Sequence, residues 1–402
     1  MHRIPHSVGV YFAALQFIFA LCWTSYSFYL PKLVAEVGLS AGTVTLILML
    51  DQAIFTVTDY CAGVAADKVS RLVGRLGHWV AAVAAISCMA FLALPFVARS
   101  GIGATALLVF IVIWAVTSAS MRAPPLTLLG KYAARPAIPF LAGFAMLGLG
   151  IASGLSPYLT KILSSQDPRL PFVLASVALL LTGLALAKVE RTLAKDTPRT
   201  EERPGKTAGR AAPAPIFMFG FATVILTIGF QLHLFLNSEP LFKKFTSDTT
   251  ALMQVFWVGF SIGMFPASLI TKRWGGLRVM GAAGLVGATA IVVAEISGSL
   301  GLIVATQAVV GAAWGCILVS ALAAAAALGA PEHQGKATGI LFSALALATL
   351  ARMAINGTGA LGDLAVVPLL RWAPTLCWVI AGALLLAMSL ASPREVTAPR
   401  AA

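Results

Sequence analysis

Twelve predominantly apolar stretches recur along the chain, near 8–29, 42–65, 78–98, 104–128, 140–163, 170–188, 216–238, 250–271, 278–297, 300–327, 337–361 and 368–390. Each approaches the roughly 20 residues that an α-helix needs to cross a hydrocarbon core about 30 Å thick. Only 11% of the 402 residues are charged and 59% are hydrophobic, too little surface chemistry for a fold in water. A transmembrane barrel would show short alternating segments, and none recur here. The expectation is an all-α integral membrane protein with twelve transmembrane helices. The opening "MHRIPHSVGVYFAALQF" has the look of a signal peptide, but its apolar run continues to about Tyr29 with no small-residue cleavage site. It reads as a retained first span.

The net charge of +13 is explained by topology. With the N-terminus inside, the inner segments hold 19 lysines and arginines and the outer ones 7, leaving Arg122 and Arg352 within spans. That bias follows the positive-inside rule and puts both termini in the cytoplasm, so no nucleic-acid partner is expected. Basic inner loops suit lipid phosphates, making membrane lipids expected partners. The cysteines, Cys22, Cys61, Cys88, Cys316 and Cys377, are scattered through the spans. They suggest neither a disulfide framework nor a zinc site, and no cofactor or metal is expected. No GxxxxGK[ST] loop and no nucleophile with a positioned base appear, which argues against ATP-driven transport and against an enzyme.

After the sixth span, "KVERTLAKDTPRTEERPGKTAGRAAPAP" is charged and then rich in Pro, Gly and Thr. It reads as a linker, dividing the chain into 1–188, a cytoplasmic linker 189–215, and 216–402. The two parts look related. "GVAADKVSRLVGR" closes span 2 and "ASLITKRWGGLRV" closes span 8, so Asp67 aligns with Thr271 and Lys68 with Lys272 at an offset of 204. Two pseudo-symmetric six-helix bundles are a plan used by many secondary transporters.

On these residues the chain resembles the major facilitator superfamily, whose signature between helices 2 and 3 has the form G-x-x-x-D-(R/K)-x-(G/S)-R. Here it stands as Gly63, Asp67, Lys68 and Arg71, with Arg75 beyond. The degenerate copy at Lys272 and Arg273 lacks the acid, and "PEHQGKATG" is similar to the family's loop between helices 10 and 11. The exporter branch is matched only in part. Arg122 lies nearer the cytoplasmic end than that branch's helix-4 arginine, and "GLGIASGLSP" only echoes its helix-5 signature. The resemblance implies alternating access around a central cavity lined by helices 1, 4, 7 and 10, and a signature loop that latches the outward-facing state. Physically, Asp67 can accept hydrogen bonds from the N-terminal amides of a neighbouring helix. The alternative is a solvated loop that merely obeys charge topology.

A charge at mid-membrane costs about 2.5–3.5 kcal/mol on insertion scales, so each is a functional hypothesis. Asp51, in "LMLDQAIF", precedes Asp67 by 16 residues, and Arg352 follows Lys336 by 16. Both then stand roughly 24 Å from the cytoplasmic boundary. If helices 2 and 11 are neighbours, the two form an ion pair that closes the outer side; otherwise each is satisfied separately. Asp59, about two turns from Asp51, either supports the signature loop or acts in function. Glu295, at the outer end of its span, reads as a structural residue that snorkels to water.

Span 7 carries Gln231, His233 and Asn237 in its outer half, candidate substrate contacts, with His233 either a proton carrier or simply hydrogen-bonded. Trp23, Thr24 and Tyr26 in span 1 suit a pocket wall. Gln307 and Trp314 are seven apart on one face of span 10. Arg122 is followed by Pro124 and Pro125, which mark a bend; it snorkels inward or binds an anion. Small-residue runs such as "GFAMLGLGIASG" read as helix packing only.

The functional expectation is a secondary active transporter for a small organic solute, proton-coupled. Alternatives are uptake or exchange of an organic anion without protons, and a non-transporting assembly, lipid- or pigment-handling factor on a transporter fold. A monomer in a bacterial inner membrane is expected from the short loops.

Overall fold

The computed structural model describes residues 6–72, 76–101, 103–132, 137–196, 213–328, 333–358 and 366–391. Twelve helices among them are long and apolar enough to span a membrane. They are α1 His6–Glu36, α2 Gly42–Ser70, α3 Leu76–Arg99, α4 Ala104–Tyr132, α5 Ile138–Leu163, α6 Arg169–Ala194, α7 Pro215–Lys243, α8 Thr250–Trp274, α9 Gly276–Ile296, α10 Leu300–Leu328, α11 Gln334–Gly357 and α12 Val367–Ala391. No strand occurs among the described residues. The chain is a multi-pass, all-helical membrane protein.

Short connections force successive helices to run antiparallel. The chain ends, the α6–α7 linker and every even-to-odd connection therefore lie at one end of the bundle, called the linker end; the other is the far end. Helical structure continues to Asp196 after α6 and resumes at Pro213, so the stretch read as linker is helical at its two margins. Its remainder lies outside the described residues.

Contacts fall into two sets. Within the first six helices, α1 packs on α5 and α6, and α3 on α4 and α6; within the last six, α10 packs on α8 and α9, and α12 on α7 and α9. The sets meet mainly where α2 lies on α11 and α5 on α8. The α2–α11 seam is tight toward the linker end. A Cβ on Gly63 of α2 would strike the Gly335 carbonyl, and one on Gly339 of α11 would meet the backbone of Asp59 and Tyr60.

Burial of the apolar faces is supplemented by polar ties at both ends. At the far end Arg99 joins Glu36 at 3.2 Å and Asp167 at 2.9 Å, holding α1, α3 and the α5–α6 turn together. Arg371 of α12 donates from Nε to Glu295 of α9 at 2.6 Å and to the Glu295 carbonyl at 2.7 Å. Glu295 does not snorkel to water: it is buried and paired, because α12 places a guanidinium over it. At the linker end Glu190 of α6 accepts from the amides of Leu76 and Gly77, at 3.0 and 2.6 Å, where α3 begins. A carboxylate there satisfies amides that have no intrahelical partner and meets the positive end of the helix dipole.

Candidate functional site: a cavity at the seam

The same device operates across the seam. Asp67 of α2 accepts hydrogen bonds from the amides of Gly335 at 2.7 Å and Lys336 at 2.9 Å, at the start of α11. The glycines make this possible, since a Cβ on Gly335 would collide with Asp67 and the Gly63 carbonyl. At the equivalent position, Thr271 shares a 2.7 Å hydrogen bond with Ser320 of α10 instead. Among the described residues the α5–α8 seam has no matching latch: Thr271 stands where an acid would be needed, and Pro139 in the first turn of α5 removes an amide donor. Lys68 is exposed at the linker end. Arg75 lies outside the described residues, as does the side chain of Arg71.

Away from the linker end the two sets of helices part around a cavity of about 540 Å³. Its wall is built from α1, α2, α4, α5, α7, α8 and α11, and it extends to Met253 and Gln254 in the first turns of α8 and to Met353 near the end of α11. Those positions are at the far end, so the cavity opens there while the linker end is closed. No residue of α10 lines it, and α2, α5, α8 and α11 contribute alongside α1, α4 and α7. The expected quartet of lining helices is corrected accordingly. With the linker end closed, the seam helices part from near their middles toward the far end and expose those stretches to the cavity.

Of the residues singled out in the sequence, Trp23, Thr24, Arg122, Gln231 and Arg352 line the wall. Thr24 lies 3.5 Å from Ser156 of α5, and Gln231 donates to Thr349 of α11 at 2.9 Å. The other four cavity candidates stand behind the wall. Tyr26 is buried, its ring 4.4 Å from that of Trp114. Trp314 is sandwiched in the core, its centroid 4.3 Å from Phe230 and 6.3 Å from Trp378. Gln307 binds His233 at 3.0 Å and donates to Ser238 at 3.1 Å. Asn237 donates to the carbonyls of Leu370 and Arg371. Gln307 and Asn237 thus bond within the last six helices. His233 and Asn237 bound a π-helical stretch that widens α7 here and turns its polar groups toward α10 and α12.

Asp51 and Arg352 make no ion pair in this conformation. Asp51 is wholly buried and accepts from the Tyr26 hydroxyl at 2.7 Å, its other oxygen unbonded. The Arg352 guanidinium lies 4.9 Å from the Phe235 ring centroid, and its buried Nε has no partner. Each has thus settled on its own side of the seam, as the open far end requires.

Asp59 instead faces Arg122, with Nη1 3.3 Å from Oδ2. The pairing follows from a break in α4. Its helix tightens to a 3-10 turn over Ala119–Met121 and Arg122 leaves helical geometry at φ −95, ψ −80, just before Pro124 and Pro125. The break swings Arg122 toward α2, over the Phe55 ring at 4.5 Å and near the Phe342 ring at 5.7 Å. Ser153, in the stretch read as packing alone, also lines the cavity, as do Ser156 and Pro157 at the end of "GLGIASGLSP", and Gln16, Gln52, Gln254 and Trp257. Single polar residues in apolar helices were the available signal for these.

No curated protein sequence matches the chain. Among solved structures, the human organic anion transporter MFSD10 (TETRAN) is 13% identical, with 96% of this chain and 99% of that one covered at a TM-score of 0.70. A bacterial homologue of the iron transporter ferroportin in its outward-facing state is 12% identical over 95% and 99%, at 0.73. The fucose:proton symporter FucP of E. coli is 12% identical over 96% and 99%, at 0.64. At such identities the likeness is one of fold. The family model of the Major Facilitator Superfamily matches residues 12–247, more than half of the sequence. With twelve spanning helices meeting along two seams, and a sequence match of that extent, the chain belongs to the major facilitator superfamily of membrane transporters.

Proposed function

We propose that this protein is a secondary transporter that moves a small organic anion by alternating access, coupled to protons. One observation carries the reading: among the described residues the cavity wall holds two guanidinium groups, Arg122 and Arg352, and no acid. A cavity of about 540 Å³ with aromatic faces from Trp23, Phe55, Phe235 and Trp257 suits a molecule that joins a carboxylate or sulfonate to an apolar body. Among the described residues no acid pairs with Arg352, so an anionic ligand would supply the missing charge. Related folds serve an organic anion transporter and a proton symporter, which makes both properties compatible with this architecture. A lipid- or pigment-handling role would be served by a wall of Leu and Phe, and the glutamines, serines and arginines here favour transport.

The bundles 1–188 and 216–402, joined through 189–215, rock about the cavity. The basic bias favours a cytoplasmic linker end and cytoplasmic termini, so this conformation would face outward, and the short loops suit a bacterial inner membrane. The Asp67 latch holds it. When the far end closes, α2 and α11 converge there; Asp51 exchanges Tyr26 for Arg352, which leaves Phe235. Asp51, Asp59 and His233 are the buried titratable groups available to a proton. The protein works as a monomer among lipids, whose phosphates meet Lys68 and its neighbours.

Reconstitution into vesicles with an imposed pH gradient, challenged with organic anions and cationic drugs, tests this. Anions should accumulate and cations should not, and Arg352→Gln should abolish the flux. Preferential movement of cations would refute the charge argument.

A further inference from the structure

Arg122 lines the cavity and Asp59 lies buried behind it, but the two make an incomplete pair. The single contact is 3.3 Å, and both Asp59 oxygens are buried without a hydrogen bond. The Asp59 side chain is fully buried, whereas that of Arg122 is 13% exposed and lines the cavity. A guanidinium carries five N–H donors in a fixed fork, and the closed form of such a pair is bidentate. Here one edge touches Asp59, Phe55 and Phe342 flank the group, and donors remain for a ligand.

We infer that Arg122 is shared between two anions in turn, Asp59 when the cavity is empty and the substrate when it is full, and that Asp59 takes the coupled proton. This rests on the anion reading above. The incoming carboxylate or sulfonate bonds the Arg122 guanidinium and draws it from Asp59. The aspartate, left in a dry site with no cation, binds one proton from the cavity water at its carboxylate oxygen. One negative charge and one proton enter together, so the net charge of the site is unchanged and transport is electroneutral.

The surroundings leave Asp59 no substitute for Arg122. From α11 it meets the backbone at Gly339 and, through Arg122, the Phe342 ring; Lys336 lies further toward the linker end, its amide on Asp67. On α2 the other acids, Asp51 and Asp67, are each eight residues away, and Tyr60 is adjacent. No charged group of α1 or α3 pairs with Asp59 among the described residues. Asp51, held by Tyr26, has no cation to lose, which makes Asp59 the acid that responds to the ligand.

The test uses purified full-length protein in detergent, with acetate, benzoate, citrate and benzenesulfonate as probes. Binding is read from tryptophan fluorescence, since Trp23 and Trp257 line the cavity, and proton uptake from a dye in weakly buffered solution. The wild type should take up about one proton per anion bound, and its affinity should fall as pH rises. Asp59→Asn should bind the same anion about tenfold tighter, its competitor gone, with no proton uptake. A purely structural role for Asp59 would not tighten binding. Should Asp59→Asn misfold, Asp59→Ser removes the same carboxylate and carries the same two expectations. Anion binding without proton uptake, or unchanged affinity and uptake in either variant, overturns the shared guanidinium and leaves the anion reading standing. No saturable signal with any probe overturns both.

Discussion

Removing the carboxylate that ties α2 to α11 should tip the protein out of the conformation described here. Asp67 makes two charge-assisted hydrogen bonds, to Gly335 N at 2.7 Å and Lys336 N at 2.9 Å. Bonds to a charged group contribute about 1.5–3 kcal/mol each, and a carboxylate at a helix N-terminus about 0.3–1 kcal/mol more. Asp67→Asn retains one acceptor oxygen but loses one bond and the charge. Since Asp67 is only half-buried, the loss falls at the low end, about 2 kcal/mol, which shifts the balance of the two open forms roughly 30-fold. The shift is read by placing a single cysteine at Ser27, on the cavity wall, after the five native cysteines are replaced. A membrane-impermeant maleimide added from the far side should label Ser27→Cys quickly in the parent and many-fold more slowly with Asp67→Asn. Labelling at an unchanged rate would show that the latch contributes nothing to the equilibrium and would refute the reasoning.

Other consequences follow from the same geometry. Gly63→Ala and Gly339→Ala should each prise α2 from α11 at the linker end and slow the same labelling reaction, because the added methyl group has only backbone to displace. Exchanging the charges in Asp51→Arg with Arg352→Asp should recover transport lost in either single change; a double variant as inactive as the singles would remove the exchange of partners from the account. Arg371→Met leaves Glu295 buried without its cation and should lower stability by about 1.5–3 kcal/mol, read as a lower midpoint in a thermal melt. Glu295→Gln combined with Arg371→Met should recover part of that loss, since no uncompensated charge remains.

The twelve spans were legible because a helix that crosses a bilayer cannot disguise its apolar length, and α1 to α12 follow the predicted runs with ends shifted by up to seven residues. Rise per residue converts spacing into height along a helix, so relative height is the part of a position that a sequence can express. Azimuth is not expressed. Which neighbour Asp59 meets depends on how far α4 rotates after its break at Ala119–Met121, and no count of residues along α2 contains that rotation. The cavity wall was hidden for a different reason. Ser153 sits among glycines and alanines that read as packing, and in a conformation with the far end closed the same stretch could pack. A sequence that must serve two packings therefore shows the compromise between them. Gln307 and Trp314 show the converse: an aromatic or a glutamine inside a span suits a buried network as well as a cavity.

The central claim is that the two arginines of the cavity select an anion and that the protein carries it across the membrane. Its most direct test is uptake of radiolabelled benzoate and benzenesulfonate into proteoliposomes with an acid exterior, compared between the wild type, Arg122→Gln and Arg352→Gln. The account predicts gradient-dependent accumulation in the wild type and at most a residual rate in each variant. Accumulation that persists undiminished when both arginines are neutralised would contradict it.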